Sequence, residues 1–319
     1  MNITLRQLRY FDALAQQAHF GRAAEACAVS QPALSMQIRE LEAELGSSLI
    51  DRSLRQVQLT AFGEAFLQRA RNILREVDDL GDLARSAGRS HLSSLRLGVI
   101  PTIAPYLLPR LIGAMNAHLP GGIDLHIRES VTPQLLTQLS EGKLDAAIVA
   151  LPVNALGFEE VPLLDEHFVL VRPWEERGLP APPPEDLAEM RLLLLEEGHC
   201  FRDQALAYCG RGAQGPKEVM SASALTTLVQ MVAAGIGVTL IPELALAVEG
   251  QLGKVAVSRF EPPAPGRRIG LIWRRGSPLA AQLGEVAELA RDVLEGLHLE
   301  AQELLSAQEA QFTAAATPL

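Results

Sequence analysis

The pattern of the chain changes once, and that change constrains the fold more than any other feature. Up to about Ser86 the apolar residues recur at helical spacing with one short alternating stretch, whereas beyond Ser94 strand-like runs alternate with helical ones. LRLGVI, a helical APYLLPRLIGAMNA, IDLHIRE, a helical TPQLLTQLSEG and LDAAIVAL succeed one another. Such alternation predicts an α/β unit built on a parallel sheet. A second unit starts near HFVLVRP, crosses the proline-rich GLPAPPPED and continues through RLLLLEE to MVAAGIGVTLIPELAL. RIGLIW and an amphipathic closing helix return to the first unit. Two α/β lobes with a cleft between them are expected. From about Gln308 the tail QEAQFTAAATPL has too little apolar content to pack and is expected to fray.

The first half of the pattern reads as three short helices, LRQLRYFDALAQQA, HFGRAAEACAV and SQPALSMQIRELEAELG. Ser30 can cap the third, Pro32 sits in its first turn where a missing N–H costs little, and Gly46 ends it. SLIDRSLRQVQLT then alternates as a short β-hairpin wing would. Thr60 can cap a long helix whose apolar residues Phe62, Phe66, Ala70, Ile73, Val77, Leu80 and Ala84 step by three and four. That stripe is buried only against a partner, and a second copy of the same helix is the simplest one. SAGRSHLSS reads as the linker that follows.

Charge and composition narrow the function. With 28 Lys+Arg against 38 Asp+Glu the chain carries a net charge of −10 and is no coat for nucleic acid. Any DNA binding is local and rests on where arginines such as Arg6, Arg22, Arg39 and Arg52 sit. The N-terminus has no apolar signal core, and no run reaches the roughly 18 apolar residues that span a bilayer, so a cytoplasmic protein without membrane association is expected. Three cysteines are too few for a disulfide scaffold and fit a reducing compartment.

Two motifs carry chemistry. A helix, a turn and the SQPALSMQI helix form a helix-turn-helix, whose second helix enters the major groove. Gln31 can bond an adenine edge, Pro32 and Ala33 can touch a thymine methyl, and Ser35 can reach a base or a phosphate. From spacing alone, a three-helix cluster that touches no groove is the alternative. The other motif is EEGHCFRDQALAYC, which sets Cys200 and Cys209 nine positions apart on one helical run. They are core residues, metal ligands or a thiol pair. Neither has a C-x-x-C partner, and His118, His126, His167 and His298 show no metal spacing, so no metal and no cofactor are expected. Cys27, within AAEACAV, reads as core without a redox role.

HFGRAAEACAVSQPALSMQIRELEAELGSSLIDRS followed by LTAFGEAFL resembles the N-terminal winged helix-turn-helix of the LysR-type transcriptional regulators. The resemblance extends past Ser94, where the two lobes are similar to that family's periplasmic-binding-protein-like effector domain and MVAAGIGVTLIP is a recurrent stretch. It implies a winged helix-turn-helix over residues 1–60, a linker and dimerisation helix with a hinge over 61–91, an effector domain over 92–307 and a flexible tail over 308–319. It also implies a homotetramer, a dimer of dimers, on double-stranded promoter DNA, working with RNA polymerase. Its DNA contacts would be Ser30, Gln31, Pro32, Ala33, Ser35 and Arg39, with Arg52 on the wing.

Within the family, VIPTIAPYLLP and EEGHCFRDQALAYC are similar to the members that sense hydrogen peroxide. That likeness makes Cys200 the peroxidatic cysteine and Cys209 the resolving one. Thr102, Thr132, His199, Arg202 and Asp203 match the positions that line the peroxide pocket, although RESVTPQLL around Thr132 departs from the usual surroundings. A thiol reductant such as a glutaredoxin or thioredoxin would reset the pair.

The chemistry of the segment agrees. Gly198 allows a tight turn, and Cys200 then stands at or near a helix N-cap, where free backbone N–H groups favour a thiolate. Arg202 is expected to add positive charge, with His199 a second candidate for it, and Asp203 to cap the helix or hold Arg202. On one continuous helix nine residues separate the two backbones by about 13.5 Å and turn them roughly 180° apart. A disulfide needs Cα atoms within roughly 7 Å, so bonding requires the helix to unwind and Phe201, Leu206 and Tyr208 to repack. Closing the loop constrains the chain by about 3 kcal/mol, comparable to the cost of disrupting a short helix. The spacing suits a switch rather than a static bond. The competing readings are a regulator whose cleft binds a small organic metabolite, a thiol peroxidase and a secreted solute-binding protein. The helix-turn-helix argues against the peroxidase, and the missing signal sequence against the secreted protein.

Overall fold

The computed structural model describes residues 2–51, 57–86, 92, 94–118, 123–210, 220–250 and 254–315. It divides into a unit over residues 1–87 and a unit over residues 88–319.

The first unit contains α1 (Leu5–Gln17), α2 (Phe20–Ala26), α3 (Gln31–Leu45), β1 (Ile50–Asp51), β2 (Gln58–Leu59) and α4 (Ala61–Ser86). Local chemistry fixes most boundaries. Thr4 and Gln7 exchange side-chain and backbone bonds as a capping box on α1. The Ser30 hydroxyl accepts from the Ala33 N–H at 3.4 Å, and Gly46, at φ 66°, closes α3 in the left-handed region. Phe11, Leu14, Leu34, Ile38 and Leu41 are fully buried and hold the three helices together. β1 and β2 pair antiparallel as the expected wing, whose tip, with Arg52, lies outside the described residues. Thr60 Oγ1 accepts from the Gly63 N–H at 2.9 Å and starts α4. α4 lays Leu67 and Ala70 on the core and ties Arg71 to Asp12 at 2.7 Å. On the same stripe Phe62, Ile73 and Leu80 stay 43%, 48% and 64% exposed, so within this chain the stripe is only partly covered.

The second unit runs β3 (Ser94–Val99), α5 (Ala104–His118), β4 (Asp124–Glu129), α6 (Thr132–Ser140), β5 (Ala146–Leu151), β6 (Phe158–Pro173), α7 (Pro184–Glu189), β7 (Leu194–Leu195) and α8 (Cys200–Tyr208). It continues with β8 (Ser221–Ala222), α9 (Leu225–Ala233), β9 (Thr239–Pro242), α10 (Leu246–Glu249), β10 (Val255–Arg259), β11 (Gly266–Arg274) and α11 (Ala280–Ala315). The sheet order is β10-β6-β11-β5-β3-β4, with β9 also paired to β6. The expected parallel sheet is realised for β4, β3 and β5, but the pairings of β6 with β9, β10 and β11, and of β11 with β5, are antiparallel. β6 is a sixteen-residue strand that serves both lobes, and it enters the sheet running opposite to its neighbours. Its first part pairs with β11 and lends Phe158 and Leu163 to one core, while Phe168 to Val171 enter the other.

Three further points refine the sequence reading. RLLLLEE yields only a two-residue strand, because the four leucines 192–195 are buried as core residues and burial does not require a ladder. β11 shifts register between Ile269 and Gly270, and a Cβ on Gly270 would stand 2.9 Å from the Val161 carbonyl oxygen, a backbone atom that cannot turn aside, so glycine is favoured there. α11 continues to Ala315, past Gln308 where packing was expected to end. Alanine, glutamine and glutamate carry a helix on propensity alone. Among the described residues no helix is long and apolar enough to cross a membrane.

Candidate functional site

The approach to α8 is set by Gly198, at φ 95°, whose Cβ position lies 3.9 Å from Val131 Cγ2. The segment therefore passes beside the start of α6. His199 takes the N-cap position without a side-chain bond, and Cys200 is the first helical residue, at the end where backbone amides are free. α8 buries Phe201 and Ala205, and its geometry persists to Cys209, whose N–H reaches the Ala205 carbonyl at 3.2 Å. Cys200 is half-buried against the core of the first lobe, while Cys209 is 4% exposed inside the core of the second. Neither cysteine is in a disulfide. The nine-residue rise of about 13.5 Å and the separate cores exclude a disulfide in this conformation, since bonding needs Cα atoms within about 7 Å.

The predicted neighbours divide. Thr102 is buried and its Oγ1 accepts from Arg267 Nη1 at 2.6 Å, while its carbonyl accepts from Nη2 at 3.2 Å. Thr132 opens α6 with its Oγ1 buried and unbonded among the described residues. Arg202 donates to the Leu195 carbonyl at 2.8 Å, and Asp203, exposed to solvent, neither caps α8 nor holds Arg202. His199 corrects the expectation of added positive charge. Burial pushes its imidazole below the ordinary value, with Glu196 opposing, so the neutral form prevails at neutral pH.

Sequence reasoning missed Arg267. Its Nε meets Glu166 Oε2 at 2.8 Å with neither side chain exposed, and Glu166 Oε1 also accepts from the Leu244 N–H at 3.0 Å. The guanidinium lies 6.0 Å from the Phe168 ring and 5.8 Å from the ring of Phe201, the neighbour of Cys200. The two rings meet edge to face at 4.7 Å. Arg267, Glu166, Thr102 and Phe201 thus join β11, β6, the turn before α5 and the first turn of α8. One signal was available, because Arg267 is in phase with Ile269 and Leu271 on a strand of period two.

A groove of about 710 Å³ borders this anchor and reaches Gln204 on α8. Its arginines are matched by its acids, Arg267 with Glu166 and Arg268 with Asp165, and Glu160 adds a further carboxylate, so it offers no surplus positive charge to a small organic anion. Among the described residues no cluster of His, Cys, Asp and Glu could hold a metal ion.

In the first unit the predicted DNA contacts lie together at the start of α3. Gln31, Pro32 and Arg39 are exposed, Ala33 and Ser35 are half-buried, and Ser30 spends its hydroxyl on the cap. Met36, absent from the sequence-based set, is 53% exposed between them. Cys27 packs against this unit's core, where burial pushes its thiol pKa up.

Comparison with known proteins places this geometry. Residues 5–64 match the model of the bacterial regulatory helix-turn-helix protein, lysR family, and residues 88–295 match the LysR substrate binding domain. The chain is 42% identical to the DNA-binding transcriptional dual regulator OxyR of Escherichia coli over 92% of this chain and 97% of that one. It is 44% identical to a probable hydrogen peroxide-inducible genes activator of Streptomyces viridosporus over 92% of this chain and 95% of that one. Among solved structures, a full-length OxyR variant from Pseudomonas aeruginosa aligns with TM-score 0.70 and 37% identity, covering 91% of this chain and 95% of that one. A cysteine variant of Corynebacterium glutamicum OxyR with hydrogen peroxide bound aligns with TM-score 0.65 and 36% identity, covering 95% and 96%. The chain belongs to the LysR family of DNA-binding transcriptional regulators.

Proposed function

We propose that this regulator senses hydrogen peroxide through a reversible thiol-disulfide exchange between Cys200 and Cys209. The observation that carries the reading is the placement of two cysteines outside any disulfide at opposite ends of one short helix, one packed against the first core and the other inside the second. The Cys200 thiolate attacks one peroxide oxygen, the O–O bond breaks, and the sulfur is left as a sulfenic acid while hydroxide departs and is protonated to water. The Cys209 thiolate then attacks that sulfur, the S–S bond forms and a second water leaves. Two thiols and one peroxide become one disulfide and two waters. On this reading Thr102, Thr132, His199, Arg202 and Asp203 belong to the peroxide pocket, with Arg202 held on the Leu195 carbonyl and His199 adding a neutral ring.

Because Cys209 cannot reach Cys200 while α8 is intact, the bond forms only with α8 unwound, and the lobes repack around it. That change alters the arrangement of DNA-binding units within a dimer of dimers and so the contacts of Gln31, Pro32, Ala33, Ser35, Arg39 and Arg52 with promoter DNA and the engagement of RNA polymerase. A glutaredoxin or thioredoxin returns the pair to thiols. The relative named as a probable hydrogen peroxide-inducible genes activator and the solved relative with hydrogen peroxide bound support the reading. Intact-mass measurement before and after one equivalent of peroxide, with peptide mapping, tests it. A loss of two hydrogens in a peptide linking Cys200 to Cys209 is expected. Oxidation that stops at either cysteine alone, or no oxidation, would return the chain to the metabolite-binding reading.

A further inference from the structure

On α3 the buried residues Leu34, Ile38 and Leu41 mark the face turned to the core. At 3.6 residues per turn, the position two beyond Leu34 points almost directly away from that face. This is Met36, 53% exposed, with Pro32 one turn before it and Arg39 one turn after it on the same outer face. The polar groups around it are partly engaged within the protein. The Gln37 amide donates to Glu40 at 2.7 Å, and the Ser30 hydroxyl accepts the Ala33 N–H. The centre of the outer face is therefore apolar, with a flexible thioether as its longest reach.

The major groove displays one apolar group, the C5 methyl of thymine. We propose that Met36 is a specificity-determining residue that reads a thymine methyl, with Pro32 extending the same apolar strip one turn earlier. The inference rests on DNA binding by this unit and deepens it by naming what the centre of α3 reads. Methionine has three rotatable bonds and adapts its shape, so it follows a methyl without fixing the hydrogen-bonding edge of the base. Gln31 and Arg39, at the two ends of the strip, are left to read edges or phosphates.

The test selects binding sites for the full-length chain from a random duplex pool and then replaces each thymine of the recovered site, one at a time, with deoxyuridine, which lacks only the methyl. The wild-type protein is expected to lose about fourfold in affinity at one thymine of each half-site, the value of burying one methyl group. Met36→Ala should show no loss at that thymine while keeping the wild-type response elsewhere, and Met36→Leu, which retains an apolar end, should keep the loss. Equal losses for wild type and Met36→Ala at every thymine, or no thymine whose methyl matters, would overturn the assignment. A pool that yields no enriched duplex would instead overturn DNA binding itself, and this inference with it. Because Met36 is exposed, Met36→Ala is expected to unfold at the wild-type temperature, and Met36→Leu gives an independent reading of the same dependence.

Discussion

Replacing Phe201 with alanine should make the thiol pair harder to reduce. In the reduced state the Phe201 ring is 1% exposed, packed edge to face on Phe168 at 4.7 Å and against the Arg267 guanidinium at 5.8 Å. Truncating a fully buried phenylalanine costs about 3–5 kcal/mol. If α8 must unwind before Cys209 reaches Cys200, that cost falls on the reduced state, because the oxidised state has already displaced the ring. For a two-electron couple about 1.4 kcal/mol corresponds to about 30 mV, so the midpoint potential should fall by about 65–110 mV. Loop closure constrains the chain by only about 3 kcal/mol, so the ring is a comparable weight in the balance. Equilibration in dithiothreitol or glutathione buffers, with thiols counted by the mass added on alkylation, measures the potential. Phe201→Leu should move it in the same direction by less. An unchanged or less negative potential for Phe201→Ala would mean that the ring stays in place on oxidation, and the unwinding mechanism would be wrong.

Two other outcomes follow from the cores and the exposed stripe. Glu243 is buried, accepts from Gln302 at 2.9 Å and lies 3.6 Å from His298, and burial raises its carboxyl pKa with His298 and His167 opposing. A raised folded value means that the native state keeps its proton longer, so this contribution is present at low pH and lost as pH rises through that value. Glu243→Gln keeps the acceptor without the charge, and its urea midpoint should gain on wild type as pH rises from about 4 towards neutrality. Parallel pH curves would refute this. Replacing both Ile73 and Val77 with aspartate puts two charges into the seam expected between α4 helices, at a cost of several kcal/mol. Light scattering should then show a smaller assembly, and an unchanged mass would count against the seam.

The local features were legible in the sequence because each depends on residues close in the chain. Ser30 and Gly46 fix the ends of α3 through bonds that span a few positions, Pro32 through its preset φ, and the start of α4 follows from Thr60 in the same way, while the wing is read from alternation. The distance between Cys200 and Cys209 is likewise a property of helical rise, so their inability to bond in the helix could be stated before any tertiary contact was known. The family followed from these same stretches together with the effector half.

What only the tertiary structure decided is set by contacts between distant parts of the chain. Helix-strand alternation predicts a parallel sheet, yet the direction of pairing depends on how the chain returns, and each described neighbour of β6 runs antiparallel to it. Burial supplies the same lesson at His199, whose charge was expected from its side chain and is disfavoured by its surroundings. Asp203 was expected to cap α8 or to hold Arg202, whereas Arg202 found the Leu195 carbonyl, a backbone acceptor at the end of β7 within its reach. Arg267 comes to the cysteine helix only because β11 pairs with β6 and sets it against Glu166, while Thr102 arrives from the other lobe. Sequence carries the periodicity that turns Arg267 inward, but the partner that makes a buried guanidinium tolerable is chosen by the fold, since a charge out of water survives only where an opposite charge and hydrogen-bond acceptors meet it.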